Sequence, residues 1–209
     1  NTAENQQQVS EHWSAAARKA LPGRIRWWMS PTIVRHINRL ICGEDVAGVN
    51  GGLARLLELR LAGRTLTRGV SVGCGTGEKE VSLMRRSMVE TFDLFELSPE
   101  RVRQGRELAA RTGLAERAVF RDEDPFTAYE PGSLDLVFWV GSLHHMFDVD
   151  AAVAWSRTVL RPGGVMYVEE FVGPDRFQWS DATLALAGLV RQALPDRCFL
   201  PLPDSDQPL

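Results

Sequence analysis

Three alternate glycines, Gly73, Gly75 and Gly77, follow an apolar run that predicts a buried strand. A helix is predicted to begin just after them. Glycine has no Cβ and adopts positive φ, so the loop can expose backbone amides, and the helix N-terminus adds partial positive charge. The loop, which includes Cys74, is therefore predicted to hold an anionic or carboxylate-bearing part of a ligand. A purely structural turn is the alternative.

Two acids are predicted to stand where the second and third strands end. Glu96 comes roughly twenty residues after the glycine loop, where a carboxylate can accept hydrogen bonds from both hydroxyls of a ribose. Asp124 follows the next apolar run and could meet an adenine amino group, with Phe126 bordering the ring. Asp122 is the alternative to Asp124, and solvated loop acids are the alternative for all of them.

The spacing of this loop also bears on the cofactor class. It reads G-x-G-x-G, whereas nicotinamide-binding loops read G-x-G-x-x-G. A nicotinamide-dependent oxidoreductase is therefore disfavoured.

A histidine pair, His144 and His145, follows the predicted fourth strand. Open α/β sheets bind ligands at the carboxyl edge of their strands, and histidine suits general-base work on a hydroxyl near neutral pH. Either histidine is therefore a candidate base, with bracing of the loop by Asp148 as the alternative. No further ligands occur at suitable spacing, so no metal is predicted.

A polar and aromatic string follows the predicted fifth strand at the same edge. Trp179 could stack on a sugar ring, while Glu170, Arg176 and Gln178 could hydrogen-bond hydroxyls or a carboxylate. A loop held by aromatic packing and an Arg–Glu pair is equally compatible. Near the N-terminus, Trp13 could line the same acceptor pocket, although anchoring of a short helix is the favoured interpretation.

The elements that must position these groups alternate apolar runs with amphipathic stretches, which predicts parallel β/α units. Residues 1–66 are helical in pattern but broken by proline and glycine, and are predicted to form an N-terminal helical cap. Residues 67–209 are predicted to form one α/β domain with a three-layer, Rossmann-like sheet. The expected strands are 69–72, 91–95, 118–120, 134–139 and 164–170, and the expected helices are 78–88, 99–112, 149–160 and 181–194.

Bulk properties limit the partners. The 209 residues suit one α/β domain, and a formal charge of −3 gives no overall basic surface for nucleic acid. Three cysteines without metal-ligand spacing favour reduced thiols and a cytoplasmic location. No apolar run reaches the ~20 residues of a membrane span, and the polar start is not a secretory signal.

Five pieces of the chain occur in a recognisable order, with the likeness covering residues 68–170. They are Gly73-Cys74-Gly75-Thr76-Gly77, Glu96, Asp124, Leu134-Asp135-Leu136-Val137 and Leu160-Arg161-Pro162-Gly163-Gly164. This set resembles the ordered motifs of class I S-adenosylmethionine-dependent methyltransferases. The resemblance implies that S-adenosylmethionine is the cofactor and S-adenosylhomocysteine the product. The expected cofactor-binding residues are Gly73, Cys74, Gly75, Gly77, Glu96, Leu97, Asp124, Pro125, Phe126 and Val140.

The chain departs from that family at its C-terminal side. The family's sheet usually ends with an antiparallel hairpin, and too few residues follow the last predicted helix for both strands. We expect the hairpin to be incomplete. Either the C-terminus is missing, or residues beyond Arg197 supply one edge, or a second copy or partner subunit completes the sheet.

The acceptor is the least defined part. The Leu-His-His-Met loop and the Glu-Phe-Val-Gly-Pro string resemble those of bacterial methyltransferases acting on sugars of glycans. The leading hypothesis is O-methylation of a hydroxyl on a sugar, glycan or other small molecule. N- or C-methylation of a secondary metabolite and a non-catalytic cofactor-binding subunit are the alternatives.

Overall fold

The computed structural model describes residues 7–11, 14, 30–170 and 179–195. Contacts divide the chain into two compact units, Asn1–Phe171 and Val172–Leu209. The first contains α1 (Pro31–Cys42), α2 (Gly51–Leu61), β1 (Leu66–Val72), α3 (Glu78–Arg85), β2 (Val89–Phe95), α4 (Pro99–Arg111), β3 (Ala118–Phe120), β4 (Leu134–Val140), α5 (Val149–Val159) and β5 (Leu160–Glu169). The second contains α6 (Asp181–Ala193).

The five strands form one parallel sheet in the order β3-β2-β1-β4-β5. The order reverses between β1 and β4, because the chain leaves β1 towards β2 and later returns to its other side. Ligands of open α/β sheets bind beyond the carboxyl ends of the strands at such a reversal. The predicted α/β fold with a parallel, Rossmann-like sheet is confirmed.

Helices cover both faces of the sheet, which gives three layers. On one face α2, α3 and α4 contribute to a buried cluster that includes Leu57, Val81, Phe92, Ala109 and Phe138. On the other face α5 contributes to a cluster that includes Val70, Val137, Trp139, Ala152 and Val159. Strands buried on both faces explain the continuous apolar runs of the sequence.

The predicted helix starts are present. Ser98 caps α4 by accepting a hydrogen bond from the Arg101 amide at 3.4 Å, with Pro99 in the first turn. Asp148 caps α5 in the same way, accepting from the Ala151 amide at 2.8 Å. These caps fix where each helix leaves the loop at the carboxyl edge.

Several boundaries differ from the prediction, by up to four residues, and two of these differences have a clear structural cause. Helix α3 ends at Arg85 rather than at 88, because Ser87 takes a left-handed φ of 56° that no α-helix continues through. Strand β5 begins at Leu160 rather than at 164, because Leu160 already pairs with Leu134 ahead of a register shift between Leu134 and Leu136. Residues 161–163, which the prediction left outside β5, are therefore part of an irregular strand.

Asp135, near the start of β4, lies inside the sheet with its side chain 4% exposed. Its Oδ2 accepts a hydrogen bond from the Arg68 amide at 3.0 Å, and its Oδ1 pairs with Arg161. This acid holds β1 and β5 to β4, far from the carboxyl edge, and so has a structural role.

Among the described residues no strand follows β5, so β5 is an edge of the sheet in that part of the chain. The residues expected to contribute to a further edge, beyond Arg197, lie outside the described ones. Leu66, which the sequence places in the cap, is the first residue of β1. The division into cap and core otherwise stays a prediction. None of the described helices combines the length and apolar character that crossing a bilayer requires.

Candidate functional site

The glycine loop turns sharply after β1. Gly73, Gly75 and Gly77 have φ values of 69°, 61° and 71°, a region that favours glycine. The amides of Gly73 and Cys74 both donate to the carbonyl of Phe95, at 2.8 and 3.1 Å, which ties the loop to the end of β2. Gly77 is the N-cap of α3, which begins at Glu78. The loop is thus held from both ends and exposes backbone at the carboxyl edge.

Gly73 also passes very close to the loop after β4. A Cβ built on Gly73 would lie only 2.7 Å from the Cβ of Ser142, so any larger residue must displace that loop. Gly75 differs, because a Cβ there would meet nothing nearer than Arg101 at 3.8 Å. The space above Gly75 is therefore open to a ligand, which fits close approach of a cofactor to the backbone.

Glu96 lies at the carboxyl end of β2, with its side chain 6% exposed. Its Oε2 accepts from the Gly75 amide at 2.9 Å and its Oε1 from the Ser98 amide at 2.8 Å. Each carboxylate oxygen has a second lone pair, so Glu96 can still accept from ribose hydroxyls. The structure thus places Glu96 directly after a strand, as predicted, and in contact with the glycine loop.

Two cavities flank this acid. One, of about 580 Å³, is lined by residues that include Glu96, Leu97, Val102, Arg106 and Asp122. The other, of about 330 Å³, is lined by residues that include Cys74, Gly75, Thr76, Lys79 and Arg101. The first is large enough for a nucleoside and the second for the smaller end of such a ligand.

The acids after β3 are placed differently from one another. Asp122, the alternative of the sequence analysis, shares the larger cavity with Glu96 and Leu97. Asp124 is exposed and its Oδ1 accepts from the Phe126 amide at 2.9 Å, so it caps the turn through Pro125. Adenine recognition by either acid stays a prediction, and of the two only Asp122 is among the residues that line the cavity.

Phe126 packs away from that cavity. Its ring meets Trp155 of α5 edge to face, with centroids 5.1 Å apart, and 40% of the side chain stays exposed. This contact fixes the turn that carries Asp124 against α5.

Cys74 is partly buried in the loop, and desolvation raises the pKa of its thiol well above the usual range, with the charges of Glu80 and Glu96 adding to the effect. A thiol that stays protonated is a poor nucleophile. Cys74 therefore contributes backbone and packing rather than sulfur chemistry.

His144 lies in a short helical turn, Leu143–His145, just beyond β4. Its Nδ1 is 2.6 Å from Oε2 of Glu170, whose side chain is only 6% exposed. The other carboxylate oxygen of Glu170 accepts from the amides of Ser142, at 2.6 Å, and of Leu143. Glu170 thus contacts both the loop after β4 and a histidine, and its predicted role in binding the acceptor stays a prediction.

A carboxylate on Nδ1 favours the tautomer that carries its proton there, which leaves Nε2 free to accept a proton. Since 45% of the His144 side chain is exposed, a ligand can reach it. The sequence could have indicated this pair, because the two residues follow adjacent strands whose carboxyl ends meet.

His145 lies against His144, with ring centroids 3.9 Å apart and a tilt of 47°. It is exposed. Val140, the last residue of β4, pairs with Glu169 of β5 and is half-buried at the edge. Both residues are therefore placed at the predicted ligand edge.

Three polar groups near the glycine loop were not anticipated: Glu80, Ser142 and Glu169. Among the described residues, Oε2 of each glutamate and Oγ of Ser142 are buried without a hydrogen-bond partner. Burial raises the pKa of both glutamates. Alternation along β5 could have indicated Glu169, since it follows the buried Tyr167 by two residues.

The remaining acceptor candidates are Trp13, Arg176, Gln178 and Trp179. Trp13, Arg176 and Gln178 lie outside the described residues. Trp179 is described, in the second unit, with 63% of its side chain exposed. Within the described ranges no three His, Cys, Asp or Glu side chains are grouped as a metal site requires.

Comparison with known proteins adds to this geometry. The family described as "Methyltransferase domain" matches residues 70–168. The chain is 31% identical over 130 residues to 27-O-demethylrifamycin SV methyltransferase of Amycolatopsis mediterranei (strain S699), covering 62% of this chain and 46% of the relative. It is 33% identical over 120 residues to the chloroplastic tocopherol O-methyltransferase of Arabidopsis thaliana, covering 53% and 34%. The chain spans less than half the length of each of these relatives.

A solved structure shares the fold. The 4+2 cyclase SpnF superposes with a TM-score of 0.56 at 22% identity, covering 78% of this chain and 59% of that one. The family match spans the glycine loop, Glu96 and strands β2 to β4 in the order that the sequence analysis expected. With its Rossmann-like sheet and its ordered motifs, the chain is similar over residues 70–168, just under half of its length, to the methyltransferase-domain family.

Proposed function

We propose that this chain transfers the methyl group of S-adenosylmethionine to a hydroxyl oxygen of a small-molecule acceptor. The observation that carries the choice of oxygen is the His144–Glu170 pair, at 2.6 Å, beside the glycine loop. A hydroxyl is weakly nucleophilic until it loses its proton, and an oriented histidine is suited to accept that proton.

The relatives support the same acceptor atom. One is named as acting on 27-O-demethylrifamycin SV, and two others are named O-methyltransferases, of tocopherol and of ubiquinone biosynthesis. The matched segment covers less than half of each relative's own length. These names therefore suggest a class of acceptor and do not identify the acceptor of this chain.

In this proposal the backbone of Gly73 and Gly75 holds the amino-acid end of the cofactor and Glu96 holds the ribose. Adenine lies in the larger cavity, with Asp122 as the acid on its amino group and Asp124 as the alternative. Bound there, S-adenosylmethionine supplies a methyl group that its sulfonium has already activated. Alignment of that group with the acceptor provides much of the rate enhancement.

The chain's own contribution to the chemical step is proton transfer. Nε2 of His144 takes the proton of the acceptor hydroxyl while its oxygen becomes the nucleophile. Glu170 stabilises the resulting imidazolium through Nδ1, and its second oxygen keeps the Ser142 and Leu143 amides in place. His145 is the second candidate base.

The acceptor we propose is a sugar, a glycan or another hydroxyl-bearing small molecule. The sequence support is the string that contains Arg176, Gln178 and Trp179, together with Trp13. Trp179 is exposed, as a side chain that stacks on a sugar ring must be before the ligand binds.

The test begins with calorimetry of S-adenosylmethionine and S-adenosylhomocysteine, followed by a methyl-transfer screen of sugars, oligosaccharides, phenols and amines. We expect micromolar binding, and transfer to hydroxyls that falls about a hundredfold or more in His144→Ala. His36→Ala, which replaces an exposed histidine on α1, is the matched control.

Three outcomes would contradict the proposal. Binding without turnover on any acceptor would favour a non-catalytic subunit, and transfer to amines alone would favour an N-methyltransferase. Unchanged turnover in both His144→Ala and His145→Ala would exclude a histidine base and leave alignment as the source of catalysis.

A further inference from the structure

Glu169 is a partly buried acid that no step of the proposed reaction uses. It is the last residue of β5, and its Oε2 is buried without a hydrogen-bond partner among the described residues. Glu170, next to it, has both oxygens engaged by the loop after β4. The two neighbouring acids therefore differ, because one is satisfied by the protein and the other is not.

The strand register places Glu169 beside the glycine loop. Glu169 pairs with Val140, the last residue of β4, and β4 in turn pairs with β1, whose end leads into Gly73. Tyr167, two residues earlier on the same face, stacks on Phe138 with centroids 4.6 Å apart. That face carries α3, which follows the glycine loop.

The charges around Glu169 are only partly balanced. Burial raises the pKa of Glu169, the ammonium of Lys79 on α3 lowers it, and the carboxylate of Glu170 raises it. The Tyr167 hydroxyl feels the negative charge of Glu169, which contributes to a pKa raised mainly by burial. A buried carboxylate oxygen without a hydrogen-bond partner is unfavourable, so a cation that arrives with a ligand would gain from Oε2 of Glu169.

We propose that Oε2 of Glu169 accepts a hydrogen bond from the α-ammonium group of the cofactor's amino-acid end and so selects ligands that carry that group. The inference rests on the proposed function. Lys79 lines the smaller cavity with Cys74 and Gly75, and its ammonium also lowers the pKa of Glu169, so the cavity and Glu169 share a charged neighbour. The amino-acid end is the one part of the cofactor that carries an ammonium.

The experiment measures affinity by calorimetry for two ligands and three proteins. The ligands are S-adenosylhomocysteine and its deamino analogue, which keeps the carboxylate and lacks the ammonium. The proteins are the unmodified chain, Glu169→Gln, and Glu90→Gln, which changes an exposed acid at the amino end of β2. A change confined to the ammonium-bearing ligand identifies the contact.

We expect Glu169→Gln to weaken S-adenosylhomocysteine about tenfold or more, since a charge-assisted hydrogen bond becomes a neutral one. The deamino analogue should bind the unmodified chain and Glu169→Gln equally, and Glu90→Gln should match the unmodified chain with both ligands. Glu169→Asp, which keeps the charge but shortens the side chain, should retain more affinity than Glu169→Gln and serves if the glutamine variant does not fold.

Equal affinity of the unmodified chain and Glu169→Gln for S-adenosylhomocysteine would overturn this assignment, and so would an equal loss for both ligands. Either result leaves the proposed function standing. Failure of the unmodified chain to bind S-adenosylhomocysteine would instead overturn the proposed function, and this inference with it.

Discussion

At the scale of single residues, Glu170 has two tasks that one substitution can separate. In Glu170→Gln the amide oxygen can still accept from the Ser142 and Leu143 amides, so the loop should keep its position. The amide nitrogen would then face Nδ1 of His144 and donate to it. That forces the proton onto Nε2, which is the wrong tautomer for a base.

We therefore expect Glu170→Gln to lower kcat about a hundredfold or more with KM nearly unchanged. Steady-state kinetics across pH, with the methyl acceptor found in the screen, measures this. A variant that kept kcat but lost cofactor affinity would show that Glu170 only holds the loop.

A second prediction at this scale concerns the stability cost of substitutions in the glycine loop. Gly73→Ala meets both a positive φ and the Cβ of Ser142 at 2.7 Å, whereas Gly75→Ala meets only the positive φ. We expect Gly75→Ala to cost about 1–2 kcal/mol of stability and Gly73→Ala clearly more. Urea unfolding of both variants measures the difference.

The second substitution Ser142→Gly provides the control. It removes the Cβ that a residue at 73 would meet, so it should recover part of the stability lost in Gly73→Ala and none of that lost in Gly75→Ala. Equal destabilisation by the two single variants would show that the loop after β4 moves aside freely.

At the scale of elements, α3 is attached to β1 by a buried acid. Glu80 is 2% exposed, and its Oε1 accepts from Ser71 Oγ at 2.6 Å, while Oε2 has no partner among the described residues. Burial is the largest cause of its raised pKa, and the Ser71 hydrogen bond lowers it in part. This contact packs the helix that follows the glycine loop onto the sheet.

The raised pKa sets the sign of a pH dependence. Between 4.5, the ordinary value, and its raised pKa, Glu80 holds a proton in the folded state that the unfolded chain has released. The free energy of unfolding therefore falls as pH rises through this interval. Glu80→Gln has no proton to release, so its stability relative to the unmodified chain should increase with pH.

Urea unfolding at several pH values between 5 and 8 measures this, with Glu90→Gln as the exposed control. A constant stability difference between Glu80→Gln and the unmodified chain over that range would show that Glu80 ionises normally in the folded protein.

At the scale of the whole molecule, fold and chemistry are separate questions. SpnF shares this fold at 22% identity and is named a cyclase, so the sheet by itself does not determine the reaction. The determinants lie in the residues at the carboxyl edge, and ligand binding by the entire chain is the property that tests them together.

A ligand that binds only the folded chain must stabilise it. S-adenosylhomocysteine at a hundred times its Kd should raise the free energy of unfolding by about 2.7 kcal/mol. Urea unfolding with and without ligand measures the change, and NAD at the same concentration should produce none. Stabilisation by NAD instead would favour the oxidoreductase alternative, which the loop spacing disfavours.

Much of this organisation follows from sequence alone, for local reasons. Apolar runs and amphipathic stretches predict parallel strands and helices, and Ser98-Pro99 predicts the start of α4. The alternate glycines predict a loop of positive φ. Glu96 is predictable because an acid directly after a buried strand must lie at the sheet's carboxyl edge.

Other features depend on contacts between segments distant in sequence, and only the tertiary structure decides them. Glu170 and His144 are 26 positions apart, and their hydrogen bond exists because β4 and β5 are neighbours in register. Burial of one oxygen of Glu169 likewise depends on the packing around the end of β5. The choice between Asp122 and Asp124 rests on where the chain turns after β3, since two acids that are near neighbours in sequence can face a cavity or cap a turn. Sequence thus determines which groups reach the carboxyl edge, while packing determines which of them the protein satisfies and which it leaves for a ligand.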